Sequence, residues 1–238
     1  MTKYRIYILF FLFSPLFSLG QSYPLNLPNY DYKQWHFGFT LGINEMNFIS
    51  WPVDFIDYNK KVLIIEPIPS QGINIGIVAN KRLAEYLDLR FVPTLSFGER
   101  KLSYEIIVSD TVHQKYLKTV ESTLFDFPFT LKYKSKRLPG VFNNTRVYVL
   151  GGARYSIDLA SQKSKKNNVD DIVIKLKSND FMLTSGFGFD FYFEWFKFGV
   201  ELQMSFGMLD VLYQEHNQFT SNLDKLTSRM SWITFTFE

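Results

Sequence analysis

The chain has 238 residues, with 25 Phe, 14 Tyr, 4 Trp, no cysteine, and 26 basic against 23 acidic residues. Without cysteine, disulfide frameworks, thiolate zinc sites, iron–sulfur clusters and cysteine nucleophiles are excluded. The near-neutral charge gives no reason to expect nucleic acid as a partner, while an aromatic share of 18% is about double that of an ordinary soluble domain.

Residues 1–20 read as a secretory signal peptide. Lys3 and Arg5 form the positive segment, Ile6 to Phe13 the apolar one, and Ser18-Leu19-Gly20 the small-residue cleavage site before Gln21. A membrane anchor would need about 20 apolar residues, and this stretch is shorter and broken by Pro15. Residues 21–34 follow as a periplasmic arm, and 35–238 are expected to form one domain.

Within that domain alternation dominates. In Trp35-His36-Phe37-Gly38-Phe39-Thr40-Leu41-Gly42-Ile43-Asn44 every odd residue is large and apolar and every even one small or polar. The same period of two recurs through Phe125 to Tyr133, Phe181 to Phe191 and Phe196 to Phe206. Eight strands are predicted, at 35–48, 71–79, 86–98, 121–134, 145–158, 180–192, 196–207 and 229–238. Long polar connections (49–70, 99–120, 159–179, 208–228) alternate with short ones (80–85, 135–144, 193–195), as extracellular loops and periplasmic turns do in outer-membrane barrels. The expected fold is all-β: an eight-stranded antiparallel transmembrane β-barrel.

Sidedness follows from volume. Eight strands enclose an interior that side chains barely fill, so the bulky residues belong outside against lipid. Gly38, Gly42, Gly76, Gly98, Gly152, Gly186, Gly188, Gly199 and Gly207 all share the polar parity, whereas Gly72 and Gly151 fall at uncertain strand ends. The same face carries Arg90, Lys132, Arg146, Arg154 and Lys197 with Asp88, Asp126, Asp158, Asp190 and Glu201. Isolated buried charges are costly, so this balanced set is expected to be a salt-bridged plug; the alternative is a catalytic or ion-conducting constellation. Trp35, Tyr133, Tyr192 and Trp195 near the short turns, with Tyr155 and Trp232 toward the long loops, are expected to form two interfacial aromatic girdles. The chain ends in an alternating segment, Trp232 to Glu238, with Phe237 beside the terminus.

Catalytic and cofactor signals are thin. Of His36, His113 and His216, only His36 falls on a predicted strand. Ser109, Asp110 and His113 lie close in one loop, the only grouping that suggests an acyl hydrolase, and such proximity is common in polar loops. Gly186-x-Gly188 lacks the rest of a dinucleotide fingerprint and Gly151-Gly152 lacks the P-loop lysine. No catalytic residue, cofactor or metal is therefore assigned. Lys163, Lys165 and Lys166 are a solvated loop tip that lipopolysaccharide phosphates could meet. The exposed loop residues Trp51, Phe55, Tyr58, Ile64, Ile65 and Phe219 fit a docking surface and rim packing equally.

Asn26-Leu27-Pro28-Asn29-Tyr30-Asp31 leading into the strand from Trp35, together with the segments 125–134 and 146–155, resembles the PorT (SprT) outer-membrane proteins of Bacteroidetes. The resemblance implies a non-enzymatic barrel needed for type IX protein secretion and, in gliding species, motility. It implies other components of that machine as partners alongside outer-membrane lipids and lipopolysaccharide. A lipid-modifying outer-membrane enzyme and a narrow porin-like barrel remain the alternatives.

Overall fold

The computed structural model describes residues 24–52, 62–109, 112–139, 142–160, 175–214, 220 and 223–238; the signal segment, His216, Phe219 and the lysine run at 163–166 lie outside them. Ten strand segments follow one another: β1 (Trp35–Pro52), β2 (Val62–Ile68), β3 (Ser70–Arg82), β4 (Leu87–Phe91), β5 (Thr94–Ser109), β6 (Val112–Lys134), β7 (Thr145–Asp158), β8 (Asn179–Tyr192), β9 (Lys197–Gly207) and β10 (Leu223–Phe237). They make eight staves of one antiparallel ring. Two staves are interrupted where prolines lack the N–H that a ladder needs. Pro69 separates β2 from β3, and Val92-Pro93 separates β4 from β5. Thus β3 pairs with both β4 and β5, and β2 continues that edge along β5. The ring closes where β10 pairs with β1, from Phe39↔Phe237 to Pro52↔Leu223.

The register fixes the barrel's shape. Following direct partners from Glu45 through Ser231, Met204, Ser185, Gly151, Leu131, Leu89 and Lys81 returns to β1 at Trp35. The return point lies ten residues from the start, a shear of ten for eight staves. With strands about 4.8 Å apart and about 3.3 Å per residue, that tilts the strands by roughly 40°. Each residue then climbs about 2.5 Å along the barrel axis.

A lipid belt about 25 Å tall therefore needs about ten residues per strand, and the outer face supplies them. On β1 the outward residues are Trp35, Phe37, Phe39, Leu41 and Ile43, all exposed, and then Glu45. The belt ends in the same way at Gln71 on β3, Glu99 on β5 and Glu121 on β6. β6, with 23 residues, stands well clear of it.

Above the belt the pattern inverts. Phe48, Leu102, Tyr104, Val120, Leu223 and Leu226 now point inward and are buried, packed with Leu176, Val211 and Leu212 from the loops. Lys101, Ser103 and Thr119 point outward. This inversion corrects the predicted boundaries. Residues 62–68, 99–109 and 112–120, expected as loop, are strand, and β10 begins at 223 rather than 229. The expected signature was bulk outside, and beyond Glu45, Glu99 and Glu121 most of the bulk lies inside, with Trp51 and Leu117 the exposed exceptions among the described residues. His113 accordingly belongs to β6 and not to a loop.

Two adjacent glycines report the sidedness directly. A side chain on Gly152 would collide with the Phe129 carbonyl oxygen, whereas one on Gly151 would meet nothing within 4 Å. Gly152→Val should therefore fail to give the heat-modifiable band of a folded barrel on cold SDS gels, while Gly151→Val should fold like the parent.

Candidate functional site

Nine of the ten charges expected on the inner face are buried there and Arg146 sits at the mouth; each has an oppositely charged partner, some on a neighbouring strand and some across the lumen. Arg90 Nη1 reaches Glu201 Oε2 at 2.5 Å and Arg90 Nη2 donates to Thr236 Oγ1 at 3.0 Å. Tyr148 Oη donates to the same Glu201 oxygen at 2.8 Å, and Gln203 donates to its other oxygen. Lys132 Nζ pairs with Asp190 at 2.7 Å, its ammonium 3.6 Å from the centre of the Tyr148 ring. Arg154 contacts Asp126 at 3.4 Å and donates to Gln203 at 3.0 Å, with its guanidinium 3.8 Å over the Trp232 ring. Asp126 also accepts from Ser96 and Ser156.

Four members of this network lay outside the expected set. Arg100 pairs with Asp158 at 2.5 Å, Lys134 with Asp88 at 2.8 Å, and Glu238 with Lys197 at 2.6 Å; Asp180 is buried beside the first pair. Lys134 and Asp180 carry the inward parity and could have been read from it. Arg100 lay beyond the predicted strand end. Glu238 follows Thr234 and Thr236 on the inward parity, and its side chain lies 3.8 Å from Arg90.

Two girdle residues are corrected. Trp232 and Tyr192 are 3% and 4% exposed and face the lumen, because both have the parity of the polar set: Trp232 alternates with Ile233 and Phe235, and Tyr192 with Phe191. Trp232 forms an apolar layer with Met46, Leu124, Met182 and Met230. Trp35, Tyr133, Tyr155 and Trp195 are exposed on the outer surface.

The arm before β1 closes the turn end of the lumen. A single 3-10 turn, Tyr30–Tyr32, stacks Tyr30 on His36 with ring centres 4.1 Å apart and donates Tyr30 Oη to Glu238 at 2.8 Å. Burial, then the neighbouring Glu238 charge, pushes the Tyr30 phenol well above its ordinary pKa. Asp31 accepts from Arg137, Arg146 and Tyr192. Arg137 also donates to the Asn26 and Leu27 carbonyls, and Asn144 accepts from the Asn26 amide at 2.8 Å.

The loop end has its own closure. Leu176 bridges Leu212, and Asp210 accepts the backbone N–H groups of Leu212 and Leu226. Burial acts to raise the Asp210 pKa, but these two donors and the Lys177 ammonium outweigh it and hold the carboxyl below its ordinary range. Among the described residues two internal voids are small, about 20 Å³ beside Arg90 and Glu201 and about 10 Å³ beside Arg100 and Asp180 under the loop closure. Each has room for about one water. Ser109 ends β5 and His113 is the second residue of β6, with Asp110 between them outside the described residues. Among the described residues no group of three or more His, Asp or Glu could hold a metal ion.

Comparison with known proteins gives one family and structures of low sequence identity. A family model described as an outer membrane protein beta-barrel domain matches residues 20–213, from before β1 to just beyond β9. The N-terminal β-barrel domain of Pseudomonas aeruginosa OprF is 17% identical over 83% of this chain and 96% of its own, with a TM-score of 0.30. Ail, the attachment invasion locus protein of Yersinia pestis, solved with the heparin analogue sucrose octasulfate, is 11% identical over 86% of this chain and 99% of its own, with a TM-score of 0.36. No curated protein matches the chain.

Removing one partner of a buried pair strands the other charge, at a cost of about 3–5 kcal/mol. Arg90→Met, which leaves Glu201 without its cation, should lower the unfolding midpoint in urea by that equivalent, and adding Glu201→Gln should restore much of it. At the turn end, Asp31→Asn removes the anion that holds Arg137 and Arg146. Limited trypsin digestion should then cut at Lys33 in the folded barrel, where the parent resists.

Proposed function

Because the chain belongs to the outer-membrane protein β-barrel domain family, we propose that it is a non-enzymatic outer-membrane barrel that works through its surfaces, as an assembly or accessory partner of type IX secretion. The observation that carries this reading is the filled lumen. Among the described residues paired side chains occupy its middle, the arm occupies one end and the loop core the other, and the voids beside Arg90 and beside Arg100 each hold about one water. A barrel built this way has little to do with its interior except keep it shut. Its extended strands above the belt and its arm below are then the parts left to meet other proteins.

The assignment to type IX secretion rests on the resemblance of residues 26–44, 125–134 and 146–155 to the PorT family, with the arm on the periplasmic side and β5–β6 projecting outward from the cell. Other components of that machine are the partners this reading names, and lipopolysaccharide surrounds the belt. The porin alternative is disfavoured by the same packed lumen.

Deleting the gene should abolish export of proteins that carry C-terminal sorting domains while leaving the lipid A mass profile unchanged. Normal export would defeat the secretion role, and an altered lipid A profile would favour a lipid-modifying enzyme instead. Purified protein in planar bilayers should give no reproducible single-channel steps.

A further inference from the structure

The arm before β1 is gripped at the turn end largely by its main chain. Asn144 accepts from the Asn26 N–H at 2.8 Å and donates to the Pro24 carbonyl at 3.1 Å. Arg137 spans the next two carbonyls, donating to Asn26 at 2.6 Å and to Leu27 at 3.1 Å. These contacts read backbone rather than sequence. Side-chain identity enters lightly at Asn26, whose amide donates to the Tyr192 carbonyl, and strongly at two adjacent residues. Tyr30 stacks on His36 and meets the Tyr192 ring edge-on with centres 5.8 Å apart, and Asp31 supplies the carboxylate.

Little else holds the arm in place. None of residues 24–34 is fully buried, and Leu25 and Tyr32 are exposed, so apolar burial adds little. Leu27 has φ 46°, the one positive φ at a residue other than glycine among the described residues. That conformation is strained for a bulky side chain, and strain of this kind collects at ligand clamps and switch regions. A segment with glycine at that point would follow the same path without the strain.

The mouth is also short of negative charge. Arg137 and Arg146 share the single carboxylate of Asp31 at 3.2 and 3.0 Å, while Tyr192 Oη donates to its other oxygen at 3.1 Å. Arg146 Nε and Nη1 are buried without an acceptor among the described residues. Unmet donors on a buried cation are costly, so the mouth complements a ligand more acidic than the arm.

We propose that the turn-end mouth is a docking site for an extended acidic segment of a partner protein, one that carries an aromatic residue followed directly by a carboxylate, and that residues 24–31 are the resident segment it displaces. The proposal rests on the reading of the barrel as a partner of other proteins. Because its test uses purified protein, it can fail while the export test succeeds, and the reverse.

Fluorescence anisotropy tests it on the full-length protein in mild detergent. Tyr30→Ala with Asp31→Asn removes both anchors of the arm without touching a strand, so the heat-modifiable band should persist and trypsin should cut at Lys33. A labelled synthetic peptide with the sequence of residues 24–34 should then bind saturably, and the same peptide with Leu27→Gly about tenfold more tightly once the strain is gone. The peptide with Asp31→Asn should not be held. The parent protein, whose own arm competes from the same chain, should bind the labelled peptide at least about tenfold more weakly than the released variant. Failure of the released variant to bind, equal binding of the acid-free peptide, or an arm that still resists trypsin with both anchors gone would overturn the proposal. So would a cross-linked dimer of the parent with exchanged arms, which would make a second copy the occupant.

Discussion

Eight staves with a shear of ten leave a lumen only a few side chains across, and the rest of the molecule answers to that width. Room in the middle of the barrel is short, so glycine, serine and threonine line much of it, and the longer side chains that enter are mainly the ion-paired charges and one apolar layer of Trp232 with Met46, Leu124, Met182 and Met230. A buried ion contributes only when it is matched and hydrogen-bonded, and here the matches interlock. Glu201 serves Arg90, Tyr148 and Gln203, while Asp190 lies between Lys132 and Lys197. The interior is a scaffold that fixes strand order and register, since a slip of one residue would carry every charge to the lipid side.

The same strands obey the opposite rule once they leave the belt. Past Glu45, Glu99 and Glu121 the outer face meets water, so the hydrophobic residues move inside, and Phe48, Leu102, Tyr104 and Leu226 build a core like that of a soluble barrel. One continuous pair, β5 and β6, thus passes through both solvents without changing parity. The chemistry of the two faces is exchanged while the geometry is kept. The loop core and the Tyr30 arm seal the two ends by different means, one by apolar packing and one by stacking and charge.

Much of this was legible from alternation. The eight staves, most of the outward aromatics, the inward glycines and nine of the ten expected inward charges follow from the period of two and the shortage of room. What escaped had specific causes. Trp232 and Tyr192 were assigned by residue type to the interface, although their parity with Thr234 and Asp190 placed them inside. Arg100 and the strand segments around it were missed because a search for greasy outer faces stops where the membrane stops. The arm's docking depends on Asp31 meeting Arg137 and Arg146, which are separated from it by more than a hundred residues and share no sequence period with it. Glu238 reads as an exception to an aromatic terminus until Lys197 and Tyr30 are seen beside it.

The claim beneath all of this is that the inner and outer faces are assigned correctly, and tryptophan fluorescence tests it most directly. Two single-tryptophan variants, one keeping Trp232 and one keeping Trp35, can be reconstituted in bilayers of brominated phospholipid, whose bromine quenches by contact. The account predicts strong quenching of Trp35 and almost none of Trp232, which sits at membrane height yet is walled off by the barrel. Equal quenching of the two would contradict it.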